Sequence, residues 1–346
     1  MGARPDGAIL EALQQKVDRG LPGAFVIIEE ADGTTDFITA GVADISSGRS
    51  MFPEDHYRVG STTKTFVAVV VLQLVAEDRL GLSDLVAKRL TGYSVPNGDT
   101  LTVEHLLRMR SGLFDFVDAP ALHGLEVNLK AHSLDESIAL GLGGEPIYRP
   151  GQRSTYCNTN FLLLERIVEQ LTGSTLAEQF RQRIIEPVGL AETTYPPEDD
   201  LSLPEPYIRG YDFTGERWQE CSEVYFGRGD GAVISTAVDI AKFFRSLFRG
   251  DLLPDDLLRS MQTIVHDDPP PQYAYGMGLI ADPLPTGTVW GHSGRGFGYG
   301  HHPFMDLESG RFVIWMLNGT RGYKTHRPQD ETLVRFAPEA RALAYK

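Results

Sequence analysis

The hydrophobic pattern of the N-terminal segment predicts a helix followed by a β-hairpin. Residues Ala8–Arg19 have helical spacing of apolar positions, and the pattern ends at Gly20. Ala24–Glu30 is apolar and β-branched, as expected of a buried strand. A turn at Ala31–Gly33 separates it from a second strand candidate, Asp36–Val42. We therefore expect an antiparallel strand pair close to the start of the chain.

A different pattern follows at Ser61–Leu80, which contains the longest apolar run in the chain, Phe66–Leu72. The valines of this run would also suit a strand, but the length of the segment favours a helix. A helix that is apolar on all sides is buried. We expect this segment to form a central helix of the fold.

The middle of the chain is predominantly helical, with proline and glycine between the segments. The predicted helices are Val103–Arg110, Leu134–Leu142, Asn158–Leu171 and Leu176–Ile185. Residues 196–231 are rich in proline, glycine and acidic residues and are predicted to form surface loops. A further helix is expected at Ser235–Leu247, with Ser235 or Thr236 as its cap.

Strand patterns return late in the chain, at Thr288–His292, Gly298–Phe304 and Arg311–Leu317, before a last helix at about Gln329–Ala344. Strands at both chain ends with helices between them predict an α+β fold, in which an antiparallel sheet carries an inserted helical domain. The expected division is a discontinuous sheet domain, residues 1–60 and 231–346, and a mainly helical domain, residues 61–230. The active site is expected between them.

The amino-acid composition narrows the classes of function that are expected for this protein. The 346 residues are 42% hydrophobic and 23% charged, as is usual for a globular enzyme, and the net charge is −15. Such a surface repels phosphate backbones and anionic lipid, so nucleic-acid and membrane partners are not expected. Two cysteines exclude a disulfide scaffold. The charged N-terminus has no signal-peptide core, so a cytoplasmic location is expected if Met1 is the native start.

The first candidate for chemistry is the sequence Ser61-Thr62-Thr63-Lys64. A serine and a lysine three positions apart lie on one helix face. If Ser61 begins the helix, its hydroxyl lies at the positive end of the helix dipole. The apolar run beside Lys64 would lower the pKa of its amine and make it a base. In isolation the same pattern also fits a capping serine and a surface lysine.

Two further segments carry candidate polar groups. In Tyr156-Cys157-Asn158, a lysine near the tyrosine would favour phenolate and proton relay, and the asparagine amide can hold a substrate amide. In isolation, a tyrosine packed on the core and an asparagine that caps the following helix fit this segment better. In Trp290–Gly294, glycines on a strand suggest close approach of another backbone or of a ligand. His292 would be a neutral hydrogen-bonding group, an electrostatic partner or a structural histidine.

Taken together, SxxK, YxN and HSG in this order resemble the serine β-lactamase and D-alanyl-D-alanine carboxypeptidase superfamily, especially the branch of class C β-lactamases, soluble DD-peptidases and related esterases. The resemblance extends over residues 58–319. Its supporting segments are Arg58-Val59-Gly60, Leu106-Leu107, Ser111-Gly112-Leu113, Pro150-Gly151, Asn158–Phe161, Gly231–Ser235 and Tyr275–Leu279.

The resemblance implies a β-lactamase-like fold and a role for each site residue. Ser61 is the implied nucleophile, Lys64 its base or electrostatic activator, and Tyr156 the proton shuttle. Implied substrate-binding residues are Asn158, His292, Ser293, Gly294 and Arg295. The implied oxyanion hole consists of the backbone N–H groups of Ser61 and Arg295. No metal or cofactor is implied.

Two departures bear on the substrate. Ile280 stands where carboxypeptidase relatives often have a carboxylate-binding arginine, and Arg295 stands where relatives often have threonine or serine. The usual carboxylate clamp is therefore absent, and the alternative is a different clamp supplied by Arg295. We therefore expect a serine acyl-transfer enzyme that passes an acyl group from a small-molecule or peptide-like ester or amide to water or an amine. The alternatives are a D-alanyl-D-alanine carboxypeptidase or class C β-lactamase-type hydrolase, and a non-catalytic acyl-binding or β-lactam-binding sensor.

Overall fold

A central antiparallel sheet organises the protein in the computed structural model, which describes residues 6–322 and 336–346. The sheet has eight strands in the order β2-β1-β12-β11-β9-β8-β7, and β10 pairs with β11. The strands are β1 (Gly23–Glu29), β2 (Thr35–Gly41), β3 (Tyr57–Arg58), β4 (Tyr211–Phe213), β5 (Trp218–Glu220), β6 (Ile234–Ser235), β7 (Ala274–Tyr275), β8 (Ile280–Leu284), β9 (Gly287–Gly291), β10 (Gly294–Gly296), β11 (Tyr299–Met305), β12 (Phe312–Leu317) and β13 (Gly319–Thr320). The hairpin and late strands predicted from the sequence are confirmed.

Helices pack on both faces of this sheet. They are α1 (Asp6–Asp18), α2 (Thr63–Ala76), α3 (Val86–Arg89), α4 (Val103–Leu107), α5 (Leu125–Asn128), α6 (Leu134–Gly143), α7 (Thr159–Thr172), α8 (Leu176–Phe180), α9 (Glu186–Val188), α10 (Ala237–Phe248), α11 (Asp255–Gln262) and α12 (Pro338–Ala342). A π-helical turn, Arg181–Ile185, continues α8. The α+β class with antiparallel sheet and helices is confirmed.

Alternation along β1 divides the hydrophobic core between the two faces of the sheet. Phe25 and Ile27 point to the larger core, which contains α2, whereas Val26 and Ile28 point to a smaller core with α1. Eleven of the fourteen residues of α2 are buried. The Phe66 ring of this helix stacks at 3.8 Å on a ring of α10. The central buried helix is therefore confirmed, although it ends at Ala76 rather than at Leu80.

Two boundary predictions needed correction. The loop prediction for residues 196–231 was wrong at β4 and β5, which pair with each other and with β13 in a three-stranded sheet. Several side chains of this segment are buried, including Val224 and Tyr225. At the C-terminus, α12 begins at Pro338, and residues 329–335 of the predicted last helix lie outside the described residues.

The division of the chain into a sheet domain and a helical domain, with boundaries at residues 60 and 231, stays a prediction. Within residues 6–322 and 336–346, no helix combines the length and apolar character needed to cross a bilayer.

Candidate active site

Ser61 lies in a 3₁₀ turn, Gly60–Thr62, directly before α2. It therefore precedes the first α-helical residue by two positions instead of beginning the helix, as the sequence had suggested. Gly60 has a φ of +53°, in the left-handed region that favours glycine. The Thr62 hydroxyl donates to the backbone carbonyl of His292 at 2.6 Å, which ties the turn to the end of β9. The side chain of Ser61 contributes to the wall of a cavity of about 370 Å³.

Lys64 is completely buried one turn further along α2. Its Nζ donates three hydrogen bonds, to Ser61 Oγ at 3.0 Å, to Asn158 Oδ1 at 2.7 Å and to the backbone carbonyl of Asp230 at 2.6 Å. Burial lowers the pKa of Lys64 to about 8, against the smaller opposing influence of Asp230 and Asp115. All three hydrogen-bond acceptors are uncharged, so the amine can lose its proton near neutral pH without breaking an ion pair.

The phenol of Tyr156 reaches the same region, because Tyr156 and Ser61 line the same cavity. Its ring also lies 5.1 Å from Lys64 Nζ. The expectation that the nearby cation would favour phenolate was wrong. Burial against Tyr273 and Tyr275 raises the pKa of Tyr156 well above its usual value. The tyrosine therefore holds its proton at rest and can donate it.

Asn158 is held from both ends of its side-chain amide. Its Oδ1 accepts from Lys64, and its Nδ2 donates to Asp115 Oδ2 at 2.9 Å. Asn158 occupies the N-cap position of α7 but makes no capping hydrogen bond with its side chain. The helix-capping alternative is thus excluded. In the resting site the amide positions Lys64, and it lines the cavity beside Ser61.

His292 is a buried, neutral group behind the cavity. Burial, together with the Lys64 charge, lowers the pKa of His292 to about 3. Its Nδ1 lies 2.8 Å from the backbone carbonyl of Ser293, and its Nε2 lies 2.9 Å from the Tyr275 hydroxyl. A neutral ring fits both contacts, with Nδ1–H donating and Nε2 accepting from the phenol. His292 therefore orients the start of the Ser293–Arg295 segment.

The strand β10 passes close to the turn that carries Ser61. A β-carbon on Gly60 would lie 3.0 Å from the backbone nitrogen of Arg295, and one on Gly294 would overlap the carbonyl oxygen of Val59. Glycine at both positions allows this approach. The backbone nitrogen of Arg295 is thus brought close to the turn that carries Ser61, and the oxyanion hole formed by these two residues stays a prediction. Ser293, Gly294 and Arg295 also line this cavity.

Sequence reasoning missed three contributors to the site: Asp115, Asp230 and Tyr275. Burial raises the pKa of Asp115 to about 6, and this carboxyl group fixes the Asn158 amide. Asp230 contributes a backbone carbonyl, which leaves no signal in the sequence. Asp115 did offer one, because it is an acidic residue between two phenylalanines, Phe114 and Phe116.

The chain is similar to known proteins in both sequence and structure. The sequence matches the Beta-lactamase family over residues 9–336. The structure is similar to a D-stereospecific amidohydrolase from Streptomyces sp., at 32% identity, a TM-score of 0.82 and coverage of 90% of this chain and 94% of that one. Esterase EstB from Burkholderia gladioli is 25% identical, with 92% of this chain and 90% of the esterase covered.

A third relative is penicillin-binding protein 4* from Bacillus subtilis, which is 26% identical over 80% of this chain. The chain spans 64% of the length of that protein, and about a third to a half of the next curated relatives. The family match covers nearly the whole described fold. The chain belongs to the β-lactamase family.

Proposed function

We propose that this enzyme cleaves an amide or ester through an acyl intermediate on Ser61 and passes the acyl group to water or to an amine. One observation carries the proposal: Lys64 Nζ, fully buried and bonded only to uncharged acceptors, lies 3.0 Å from Ser61 Oγ. A lysine with a pKa of about 8 is partly neutral at physiological pH and can act as a general base.

In the acylation step, Ser61 Oγ forms a bond to the substrate carbonyl carbon while its proton moves to neutral Lys64 Nζ. The backbone N–H groups of Ser61 and Arg295 stabilise the negative oxygen of the tetrahedral intermediate, and one such donor contributes on the order of 10²-fold to the rate. The bond from carbon to the leaving nitrogen or oxygen then breaks. Tyr156 donates its proton to the leaving group and takes one back from the Lys64 ammonium.

The second step reverses the proton path. Water or an amine gives its proton to the Tyr156 and Lys64 pair as its nucleophilic atom bonds to the acyl carbon. The bond from that carbon to Ser61 Oγ breaks, and the serine regains a proton. Because the same residues serve both acceptors, the ratio of hydrolysis to aminolysis depends on which acceptor reaches the acyl carbon.

For the acyl donor we propose an amide, ester or short peptide with a D-configured acyl residue. The similarity to the Streptomyces D-stereospecific amidohydrolase, at 32% identity over nearly the full length of both chains, supports this class. Buried Ile280 lines the cavity where a carboxylate-binding arginine is common in carboxypeptidase relatives. We therefore expect the enzyme to prefer uncharged amides and esters to peptides whose leaving group carries a free C-terminal carboxylate.

The test is a matched panel of D- and L-amino-acid amides and esters, together with a peptide ending in D-alanyl-D-alanine. We expect turnover of D-amides, loss of turnover in Ser61→Ala, and no change in Ser94→Ala, which alters an exposed serine. Intact-mass measurement of Ser61 acylation with an activated ester completes the assay. Full turnover by Ser61→Ala would refute the mechanism, and preferred cleavage of the peptide would favour the carboxypeptidase alternative.

The acceptor is tested by supplying the acyl donor with a series of primary amines. Amide products that increase with amine concentration would support transacylation. The free acid as sole product across the series would restrict the enzyme to hydrolysis. A stable adduct on Ser61 with no turnover of any donor would instead support the sensor alternative.

A further inference from the structure

Glu165 is a buried carboxylate that the proposed reaction does not use. It lies on α7, with 1% of its surface exposed. Its Oε2 accepts from the backbone N–H of Gly229 at 2.6 Å, and its Oε1 accepts from the Tyr195 hydroxyl at 2.7 Å. The Arg228 guanidinium lies 3.8 Å away. Burying a carboxylate is costly, and burial raises the pKa of Glu165 to about 7, so its partners identify what it holds.

Glu165 fixes the 227–231 segment against α7. A β-carbon on Gly229 would lie 2.8 Å from the carbonyl oxygen of Phe161, so this residue sits directly on the helix. The next residue, Asp230, accepts the Arg228 N–H with its side chain at 2.9 Å, which closes the segment into a tight turn. The same residue presents its backbone carbonyl to Lys64 at 2.6 Å. Two adjacent residues thus link Glu165 to the candidate base.

We propose that Glu165 is a positioning residue for the serine chemistry: by holding the Gly229 N–H, it keeps the Asp230 carbonyl on the Lys64 amine. The inference rests on the proposed function, since it assigns Lys64 the role of base. Glu165 acts through the backbone of the 227–231 segment and touches neither Ser61 nor the cavity.

The expected consequence is a change in Lys64 basicity. The Asp230 carbonyl and the nearby Asp230 carboxylate both favour the protonated amine, so loosening the segment lowers the pKa of Lys64 further. Glu165 itself is not among the groups that shift Lys64. The titratable and charged groups around Lys64 and Glu165 are Asp115, Tyr156, Cys157, Glu169, Tyr195, Arg228, Asp230 and His292.

Four variants distinguish the loss of the hydrogen bond to Gly229 from the loss of the Glu165 charge and from a general loss of stability. Glu165→Ala removes the acceptor. Glu165→Gln keeps one oxygen for the Gly229 N–H while its amide donates to Tyr195. Tyr195→Phe removes a partner of Glu165 in the same buried cluster but leaves the Gly229 contact, and is the stability control. Gly229→Ala keeps the Glu165 carboxyl group but displaces the segment, because the added β-carbon would lie 2.8 Å from the Phe161 carbonyl oxygen and 3.1 Å from the Glu165 side chain, and it serves if Glu165→Ala fails to fold.

Two readouts are measured on the intact enzyme: the pH profile of kcat/KM for the best donor and hydrogen exchange at Gly229. In Glu165→Ala and Gly229→Ala we expect the acidic limb to move about one unit to lower pH, kcat to fall about 10-fold, and Gly229 exchange to accelerate at least about 10-fold. Glu165→Gln and Tyr195→Phe are expected to stay within about twofold of the parent in exchange and kcat.

Each contrary result has one meaning. If a folded Glu165→Ala protein kept both the acidic limb of the kcat/KM profile and the Gly229 exchange rate of the parent, the positioning role would be overturned. Equal losses of kcat in Glu165→Gln and Glu165→Ala would overturn it as well. Full turnover by Ser61→Ala, or a parent profile without an acidic limb, would instead refute the proposed function on which the inference rests.

Discussion

The Asp115 carboxylate accepts a hydrogen bond at 2.9 Å from the side-chain nitrogen of Asn158. This contact turns the Asn158 oxygen towards Lys64, whose Nζ lies 2.7 Å from it. A carboxylate is an obligate acceptor when ionised, so it permits only one orientation of the amide. Asp115 therefore orders a hydrogen-bonded chain that ends at the candidate nucleophile.

Replacing Asp115 by asparagine tests this chain. The neutral amide no longer fixes the Asn158 orientation and no longer supports the Lys64 ammonium electrostatically. Because a nearby negative charge raises the pKa of a lysine, its loss lowers that pKa, and the acidic limb of kcat/KM moves to lower pH by up to about one unit. We expect kcat to fall about 10-fold. Both are read from a pH–rate profile.

The matched control for this change is Asp118→Asn. Asp118 lies on the same loop and is exposed, so its replacement removes a negative charge without removing the contact to Asn158. Its charge raises the pKa of Asp115, so this variant lowers that pKa and leaves the amide contact in place. A loss of kcat equal to that of Asp115→Asn would refute the role assigned to the hydrogen bond.

The contrast between α2 and Asp115 shows what local sequence can predict. The run Phe66–Leu72 is apolar on every side, so burial of its helix follows from seven consecutive residues, and the low basicity of Lys64 follows from its place beside them. Asp115 acquires its role through a residue 43 positions later. No periodicity encodes such a contact, and Phe114 and Phe116 alone indicate only that the segment is buried.

Two wrong predictions have the same origin. Strands β4 and β5 have three residues each, and β4 pairs with β13 about a hundred residues later, so no alternating pattern is long enough to reveal them. Tyr156 stays protonated mainly because it is buried, and the rings of Tyr273 and Tyr275, about a hundred residues later, contribute to that burial. In both cases a distant partner decides the outcome.

Lys64→Met tests the candidate base directly. Methionine fills the buried space with a similar length but cannot accept the Ser61 proton. We expect kcat to fall by about 10³-fold, within the range for loss of a general base, and the limb near pH 8 to disappear. The exposed Lys88 provides the control Lys88→Met, for which unchanged kinetics are expected. If the Lys64→Met protein keeps the acidic limb of the pH–rate profile, another group is the base.

Tyr156→Phe tests the proton donor. The variant keeps the ring packing but cannot protonate a leaving group. Poor leaving groups need that proton most, so we expect about a 10²-fold loss of kcat for amides and a smaller loss for activated esters. Tyr273→Phe is the control, since this ring packs against Tyr156 at 5.6 Å. Equal losses for amide and ester substrates would contradict a proton-donor role.

Gly294→Ala tests the close approach of β10 to the Ser61 turn. The added methyl group would overlap the Val59 carbonyl, so the strand must shift and carry the Arg295 N–H away. Loss of one oxyanion donor typically reduces kcat by about 10²-fold, and we expect the same here with little change in KM. Gly143→Ala is the control, because its β-carbon would meet no atom within 4 Å. An unchanged kcat in a folded Gly294→Ala protein would exclude Arg295 from the oxyanion hole.

The buried His292 links acid conditions to unfolding. Its pKa is depressed to about 3, mainly because burial disfavours the imidazolium, whereas in the unfolded chain it returns to about 6.5. Its contribution to stability is therefore complete above pH 6.5 and is lost as the pH falls towards 3. Between pH 6 and pH 4 the unfolded state binds the extra proton, which costs the native state about 1.4 kcal/mol per pH unit.

His292→Asn, which has no titrating proton, should show a free energy of unfolding that falls less steeply by about this amount in denaturant titrations across that range. The same substitution at the exposed His266 is the matched control. Identical slopes for the parent and His292→Asn would mean that the imidazole is already protonated in the native site, and the neutral hydrogen-bonding role between Ser293 and Tyr275 would then be wrong.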